Sequence, residues 1–200
     1  AYSSAGFTAI LAWIIFKEKL GLPKIIAIIL SLGGCILVSN AYSADIWKLN
    51  LLGVTTGLLS GIFFAVYTLA GKETARLNIN SWTAMLYSFG FGTIFILVFN
   101  LFPFIPGAAG SIPGLLPHLP WDGWACLVFL SFIPTIFGFG LYNMSMYYIP
   151  ASIANLLATT EPVMTAIEAY FLLNQGMSLI QIIGSAIILS AVIIVQLQKE

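Results

Sequence analysis

The sequence predicts an all-α integral membrane protein, a polytopic helical bundle with inverted repeats. Of its 200 residues, 60% are hydrophobic and only 7% are charged, whereas a soluble domain usually carries about 25% charged residues. The apolar residues fall into seven runs separated by polar breaks, and a helix needs roughly 20 such residues to cross a bilayer. Two of these runs recur late in the chain with a similar sequence. These three observations carry the prediction.

The seven predicted helices span approximately residues 1–16, 24–41, 49–71, 82–102, 123–148, 151–173 and 178–197. The first run is too short to cross a bilayer, so we expect it to be part of a helix that starts upstream. The fifth contains Pro134, which removes a backbone donor and should kink the helix near its middle. The stretch 103–121 holds five of the nine prolines and is expected to form a loop outside the membrane core.

Charge and cysteine content exclude several classes of protein. Seven basic and seven acidic residues give no net charge, which argues against nucleic-acid binding. Cys35 and Cys126 stand alone in apolar segments, without metal-ligand or disulfide spacing, and we expect both to be buried. The only histidine, His118, lies in the proline-rich loop, where a solvated side chain is favoured over a metal-binding or pH-sensing one. We therefore expect no metal and no cofactor.

The basic residues predict the orientation, because cytoplasmic loops are enriched in Lys and Arg. Six of them fall on one side of the predicted bundle: Lys17, Lys19, Lys24, Lys72, Arg76 and Lys199. Lys48 alone falls on the other side. We therefore expect a multi-pass protein of the cell (inner) membrane with a cytoplasmic C-terminus.

An internal repeat relates the two ends of the chain at an offset of 157 residues. "FTAILAWIIFKEKLGLPKIIAIILSLGGCILV", from Phe7, aligns without a gap with "MTAIEAYFLLNQGMSLIQIIGSAIILSAVIIV", from Met164. The chain crosses the membrane five times between the end of the first predicted helix and the end of its counterpart, so the second copy should be inverted. Lys17 and Glu18 are replaced by Asn174 and Gln175, as expected if the second turn lies outside. Inverted repeats are the architecture of many secondary transporters.

These same stretches carry a family resemblance. "LGLPKIIAIILSLGGCILV", following "FKEKL", and "EPVMTAIEAYFLLNQGMSLIQIIGSAIILSAVIIV" resemble the two half endings of EamA-type drug/metabolite transporters. The resemblance implies two five-helix halves in inverted orientation with both termini cytoplasmic. Residues 1–41 would be the last two helices of the first repeat, residues 49–197 the whole second repeat, and three helices would lie upstream. Gln175 departs from the family, which usually has an acid there, and so does Ser4-Ala5, where a proline is common.

Two carboxylates in the sixth predicted helix are the first candidate site residues. Glu161 and Glu168 are seven residues apart, so they share one helix face. Glu161 precedes Pro162; it could satisfy backbone groups freed by the proline, or face a central cavity and bind a cationic group or a coupling proton. Glu168 should face the bundle interior or water, because a charged carboxylate in lipid costs about 2.5 kcal/mol or more. There it could exchange a proton; alternatively, it lies silent near the external end.

Three further polar residues complete the predicted site. Asn143 lies beyond the Pro134 kink, Asn155 precedes Glu161 by six residues, and Tyr67 lies on the third helix. Amide and phenol groups in an apolar wall suit a small organic solute, although hydrogen bonds between helices are an equally valid interpretation of each asparagine.

A stripe of small residues marks the third predicted helix. Gly53, Gly57 and Gly61 recur at intervals of four and are followed by Ala65. Such a stripe allows two helices to approach closely. We interpret it as a packing surface, with a moving gate surface as the alternative.

The predicted function is secondary transport, with export of a small organic metabolite or drug in exchange for protons as the leading hypothesis. No GxxxxGK[ST] motif occurs, so ATP is not expected to drive it directly. Paired histidines, a GxGD motif and a Ser/His dyad are missing from the helices, so the chain is not predicted to be an enzyme. The alternative is a non-transporting membrane subunit or receptor. The expected partners are a small-molecule solute and the lipid bilayer, and the oligomeric state stays open.

Overall fold

A computed structural model describes residues 2–39, 51–102 and 119–197, and their regular structure is entirely helical. We number the helices as follows: α1 Ser4–Phe16, α2 Leu22–Val38, α3 Leu51–Arg76, α4 Ser81–Asn100, α5 Trp121–Ser145, α6 Ala151–Leu173 and α7 Leu179–Gln196. By length and composition, α3 to α7 can each cross a membrane, and α1 and α2 are shorter apolar helices. The predicted all-helical membrane fold is therefore confirmed. His118, Lys48 and Lys199 lie outside the described residues.

The helix ends differ from the predicted ones where local chemistry outweighs hydropathy. Helix α3 continues to Arg76 rather than ending near residue 71, because a helix need not stop where its residues become polar. Arg76 forms an ion pair of 3.1 Å with Glu73 one turn earlier, which suits helical spacing. The chain then turns at Asn78, whose φ is 56°. Helix α2 begins at Leu22 with Pro23 in its first turn, where proline is well tolerated.

Helix α5 contains a π-helical segment where a kink was expected. Ser131–Gly138 has the wider π turn and includes Pro134. The Thr135 hydroxyl donates to the carbonyl of Leu130 at 2.9 Å. Proline removes one backbone donor from the helix. Here the helix responds by widening into a π turn, in which the Thr135 hydroxyl bonds a backbone carbonyl.

Helix α6 is discontinuous. It consists of Ala151–Ala158 and Glu161–Leu173, separated by a turn at Thr159 and Thr160. Pro162 lies in the first turn of the second segment. Because proline has no N–H, the carbonyl of Ala158 loses its helical partner. The helix is therefore interrupted just before the proline.

The chain divides into two units, and each is described by itself. Unit 1 comprises 1–72 and 148–200, and unit 2 comprises 73–147. In unit 2, the Trp82 ring of α4 packs directly over Gly140 of α5. Phe89 and Phe139 meet edge to face, with their ring centroids 5.3 Å apart. These aromatic contacts join α4 to the last segment of α5.

The core of unit 1 is the crossing of α2 and α7. A Cβ at Gly34 would come within 2.8 Å of the carbonyl oxygen of Gly184, and one at Gly184 within 2.9 Å of that of Gly34. Ala27 and Ala191 are buried together in one cluster. Since α7 moves forward from Gly184 to Ala191 while its partner moves back from Gly34 to Ala27, the two helices are antiparallel. Small residues permit this close approach.

Local structure follows the sequence repeat. Ser4–Phe16 of α1 and Glu161–Leu173 of α6 begin and end 157 residues apart. The residue after each helix is left-handed, Lys17 with φ 55° and Asn174 with φ 51°. Asparagine adopts this conformation more readily than lysine, but both positions close the helix by the same backbone bond.

Candidate functional site

Two helix starts related by the repeat define the candidate site in unit 1. The turn at Tyr2 and Ser3 precedes α1, and the turn at Thr159 and Thr160 interrupts α6, 157 residues later. Ser31 of α2 donates to the Thr159 hydroxyl at 2.7 Å, and that hydroxyl donates to the carbonyl of Leu156 at 2.6 Å. The break in α6 is therefore a fixed structure held by α2, with its hydroxyls satisfied.

Asn155, a predicted site residue, is the centre of a buried polar network beside this break. Its Oδ1 accepts a hydrogen bond from the Ser4 hydroxyl at 3.1 Å. Its Nδ2 donates to the hydroxyls of Thr8 at 2.7 Å and Thr68 at 3.3 Å. Asn155 is 1% exposed. The amide thus connects α1, α3 and α6, which corresponds to the predicted alternative of hydrogen bonds between helices.

The two carboxylates are placed differently from Asn155. Glu161 is the first residue of the second segment of α6, and Glu168 lies two turns further on. Both are exposed. Within the described part of the chain neither forms a hydrogen bond or an ion pair, so Glu161 does not satisfy backbone groups freed by Pro162. Glu168 does not face the interior of unit 1, and its predicted placement toward the bundle interior or water stays a prediction.

Tyr2 is a further candidate site residue, which the sequence reasoning missed. Its phenol lies within electrostatic range of Glu161 and of Cys35. Its ring packs against the buried cluster that contains Cys35 and Val163. The signal was available, because Tyr2 stands 157 residues before Thr159 and so occupies the equivalent turn of the repeat.

The remaining predicted residues do not join this group. Tyr67 is half-buried and stacks on Phe64 with ring centroids 6.0 Å apart, while its neighbour Thr68 contacts Asn155. Asn143 belongs to unit 2 and donates to the carbonyl of Phe139 on its own helix at 3.0 Å. Of the five predicted site residues, only Asn155 and Glu161 flank the break in α6.

The cysteines and the other possible metal ligands of the described residues form no second site. Cys35 is buried as expected, but Cys126 is exposed, so the prediction for it was wrong. It lies on α5, whose first segment Trp121–Leu130 buries none of its residues. Among the described residues, no group of three or more His, Cys, Asp or Glu side chains could hold a metal ion.

Comparison with known proteins gives one family and several relatives. The model of the EamA-like transporter family matches residues 51–197. An "Uncharacterized transporter" of Archaeoglobus fulgidus is 27% identical over 181 residues, which cover 90% of this chain and 59% of that protein. "Uncharacterized transporter sll1319" of Synechocystis sp. is 29% identical over 195 residues, 96% of this chain and 56% of that protein. The chain thus spans somewhat more than half the length of these relatives. No solved structure matches it.

Proposed function

Because the chain belongs to the EamA-like transporter family, we propose that the complete protein is a secondary transporter that exports a small organic metabolite or drug in exchange for protons. The observation that carries the proposal is the break in α6, with the exposed carboxylate of Glu161 at its end. Interrupted membrane helices form the solute and ion sites of many secondary transporters. The EamA-like family is a family of transporters and not of enzymes.

In this proposal Glu161 binds the cationic group of a solute or a coupling proton. It lies in the first turn of its helical segment, where the positive end of the helix dipole stabilises a negative charge. Its carboxylate is exposed and makes no hydrogen bond to the described residues, so it can accept a partner without losing one. The phenol of Tyr2, within electrostatic range of Glu161, offers a further hydrogen-bonding group in the same region.

Glu168 is proposed to accept the coupling proton on the same path. It lies seven residues beyond Glu161 on one helix, so the two carboxylates are about two turns apart on one face. Asn155 enters the proposal as a positioning residue, because its three hydrogen bonds hold α1, α3 and α6 beside the break. Tyr67 and Asn143 stay predictions as solute contacts.

The proposed mechanism uses two halves in inverted orientation. The antiparallel crossing of α2 and α7, which are equivalent helices of the repeat, supports this arrangement. The matching bounds of Ser4–Phe16 and Glu161–Leu173 support it as well. With the lysine-rich α1–α2 turn in the cytoplasm, the C-terminus is also cytoplasmic.

Solute flux in proteoliposomes tests this function. The full-length protein, Glu161→Gln and Glu168→Gln would be reconstituted with a mixed metabolite panel under an imposed pH gradient. We expect wild-type flux to follow the gradient, and one Gln variant to lose this dependence while still exchanging solute, because an amide cannot release a proton. Glu73→Gln is the matched control, since Glu73 is an exposed carboxylate paired with Arg76.

Two results would count against the proposal. If both Gln variants follow the pH gradient like wild type, neither carboxylate is the coupling group. If the wild-type protein carries no solute in the panel under any gradient, the alternative of a non-transporting membrane subunit is favoured.

A further inference from the structure

A buried ion pair lies at the opposite end of α1 from the candidate site. In the turn between α1 and α2, the Glu18 carboxylate accepts a hydrogen bond from the Lys24 ammonium at 3.3 Å. Only 10% of the Glu18 side chain and 8% of the Lys24 side chain are exposed. A salt bridge buried to this degree must satisfy its remaining hydrogen-bonding positions, because otherwise the desolvation of two charges is not compensated.

The start of α6 supplies those partners. The second carboxylate oxygen of Glu18 accepts from the backbone N–H of Ala151 at 2.8 Å. The carboxylate oxygen that accepts from Lys24 also accepts from the Ser152 hydroxyl. Ala151 and Ser152 begin the first segment of α6, whose free N–H groups and helix dipole favour a negative charge. A side chain from residue 18 thus closes the start of a helix more than 130 residues later.

A third element is tied to the same place. The Lys72 ammonium of α3 donates to the carbonyl of Ile149 at 2.9 Å. Ile149 lies two residues before Ala151, so the α1–α2 turn, α2 and α3 all contribute charged groups around the start of α6. These residues belong to unit 1.

The other copy of the repeat has no such charges. Glu18 corresponds to Gln175 and Lys24 to Gln181, each 157 residues later. Gln175 is exposed. Gln181 accepts from the backbone N–H of Ser178 in its own capping box, and its amide donates to the carbonyl of Val38 at 3.4 Å. The charged connection is therefore found in the first copy of the repeat and not in the second.

We propose that Glu18 and Lys24 form a latch that holds the α1–α2 turn against the start of α6 and opens in one state of the transport cycle. In the closed state each charge has its partners. In the open state water solvates both charges, so the protein has two discrete arrangements rather than a continuous range. The role in the cycle rests on the proposed transport function, but the latch itself does not.

The test measures a distance across the latch as well as transport. Spin labels would be placed at Lys19 and Tyr148, which are both exposed and form no part of the latch, in the full-length protein carrying Cys35→Ala and Cys126→Ser. The distance distribution would be measured in lipid nanodiscs by pulsed electron spin resonance. Solute exchange would be measured on the same variants in proteoliposomes.

The main variant is Glu18→Gln with Lys24→Gln, which places in the first copy the residues of the second. Removing both charges avoids the buried unpaired charge that either single variant leaves. We expect the ratio of the open to the closed population, read from the distance distribution, to rise about tenfold, because charge-assisted hydrogen bonds are lost. Ser152→Ala keeps the ion pair and should give a smaller rise. Glu73→Gln, which breaks an exposed ion pair, should leave the distances as in wild type.

The outcomes separate the latch from the transport function. Coinciding distance distributions for the double variant and wild type would overturn the latch, whatever the flux. A longer distance in the double variant with an unchanged rate of solute exchange would overturn its role in the cycle. A wild-type protein that exchanges no solute would contradict the proposed function, while the spin-label distances would still decide whether the latch exists.

Discussion

One buried amide, that of Asn155, joins three helices of unit 1. It makes three hydrogen bonds to hydroxyl groups of two other helices, and it is almost completely buried. A buried amide that is fully satisfied specifies one arrangement of its neighbours, because any other leaves polar groups without partners. Replacing it should therefore cost more than the loss of an ordinary hydrogen bond.

Asn155→Ala is expected to lower the free energy of unfolding by about 2–4 kcal/mol. The substitution deletes three bonds and strands the buried hydroxyls of Ser4 and Thr8, whose desolvation is then uncompensated. Thermal or denaturant unfolding in detergent would measure the change. Asn100→Ala is the matched control, because among the described residues the Asn100 side chain bonds only to its own helix, at the carbonyl of Ile96. Equal stability of the two variants would show that the network does not hold the helices.

Residue identities in the site could be predicted only in part. A polar residue in an apolar helix stands out in sequence, and Asn155 and Glu161 were found in that way. The α3 partner of Asn155 was not predicted: Tyr67 was chosen as a solute contact, and its neighbour Thr68 makes the bond to Asn155. Adjacent residues differ by about 100° around a helix, and the direction that faces α6 depends on packing. Glu18 was not predicted as a buried residue because its partners Ala151 and Ser152 are remote in sequence.

At the scale of elements, the positions of helices were predictable but not their contacts. Apolar runs and polar breaks gave all seven helices to within a few residues, because the need to satisfy backbone groups in lipid leaves few alternatives. The small-residue stripe of α3 was assigned to packing, and its end at Gly61 and Ala65 is buried, whereas a Cβ at Gly57 would meet no atom within 4 Å in the described chain. The close approach of two glycine backbones joins α2 to α7 instead. Glycine spacing alone does not identify a partner helix.

The glycine crossing leads to a prediction about element packing. Gly34→Ala should destabilise the protein by about 1–3 kcal/mol, the usual cost of overpacking. Its Cβ would lie 2.6 Å from Ile188 and 2.8 Å from the backbone oxygen of Gly184, and backbone cannot move aside easily. Gly57→Ala, in open space, should be neutral or stabilising by up to about 1 kcal/mol, because alanine favours helix. Melting temperatures of both variants measure the difference, and equal values would contradict the close crossing.

At the scale of the whole molecule, the repeat could be detected from sequence because it is gapless, and the helix bounds follow it. Ser4–Phe16 and Glu161–Leu173 are offset by 157 residues. The asymmetry between the copies was visible as the loss of Lys17 and Glu18, and it was attributed to membrane orientation. That interpretation did not predict the hydrogen bonds of Glu18. The number of charges in a loop indicates which side of the membrane the loop lies on, but not whether a side chain is buried.

The orientation of the two copies can be tested with a pair of equivalent positions. Lys19 and Gly176 lie 157 residues apart, in the turn after each copy of the repeated helix, and both are exposed. In cells that express Lys19→Cys or Gly176→Cys in a Cys126→Ser background, a membrane-impermeant maleimide would be added from outside. We expect Gly176→Cys to react at once and Lys19→Cys only after permeabilisation, because lysine-rich turns stay in the cytoplasm. Both variants should react in lysed cells, which controls for exposure. Labelling of both from one side of intact cells would mean that the copies are parallel, and the inverted arrangement on which the transport proposal depends would then be wrong.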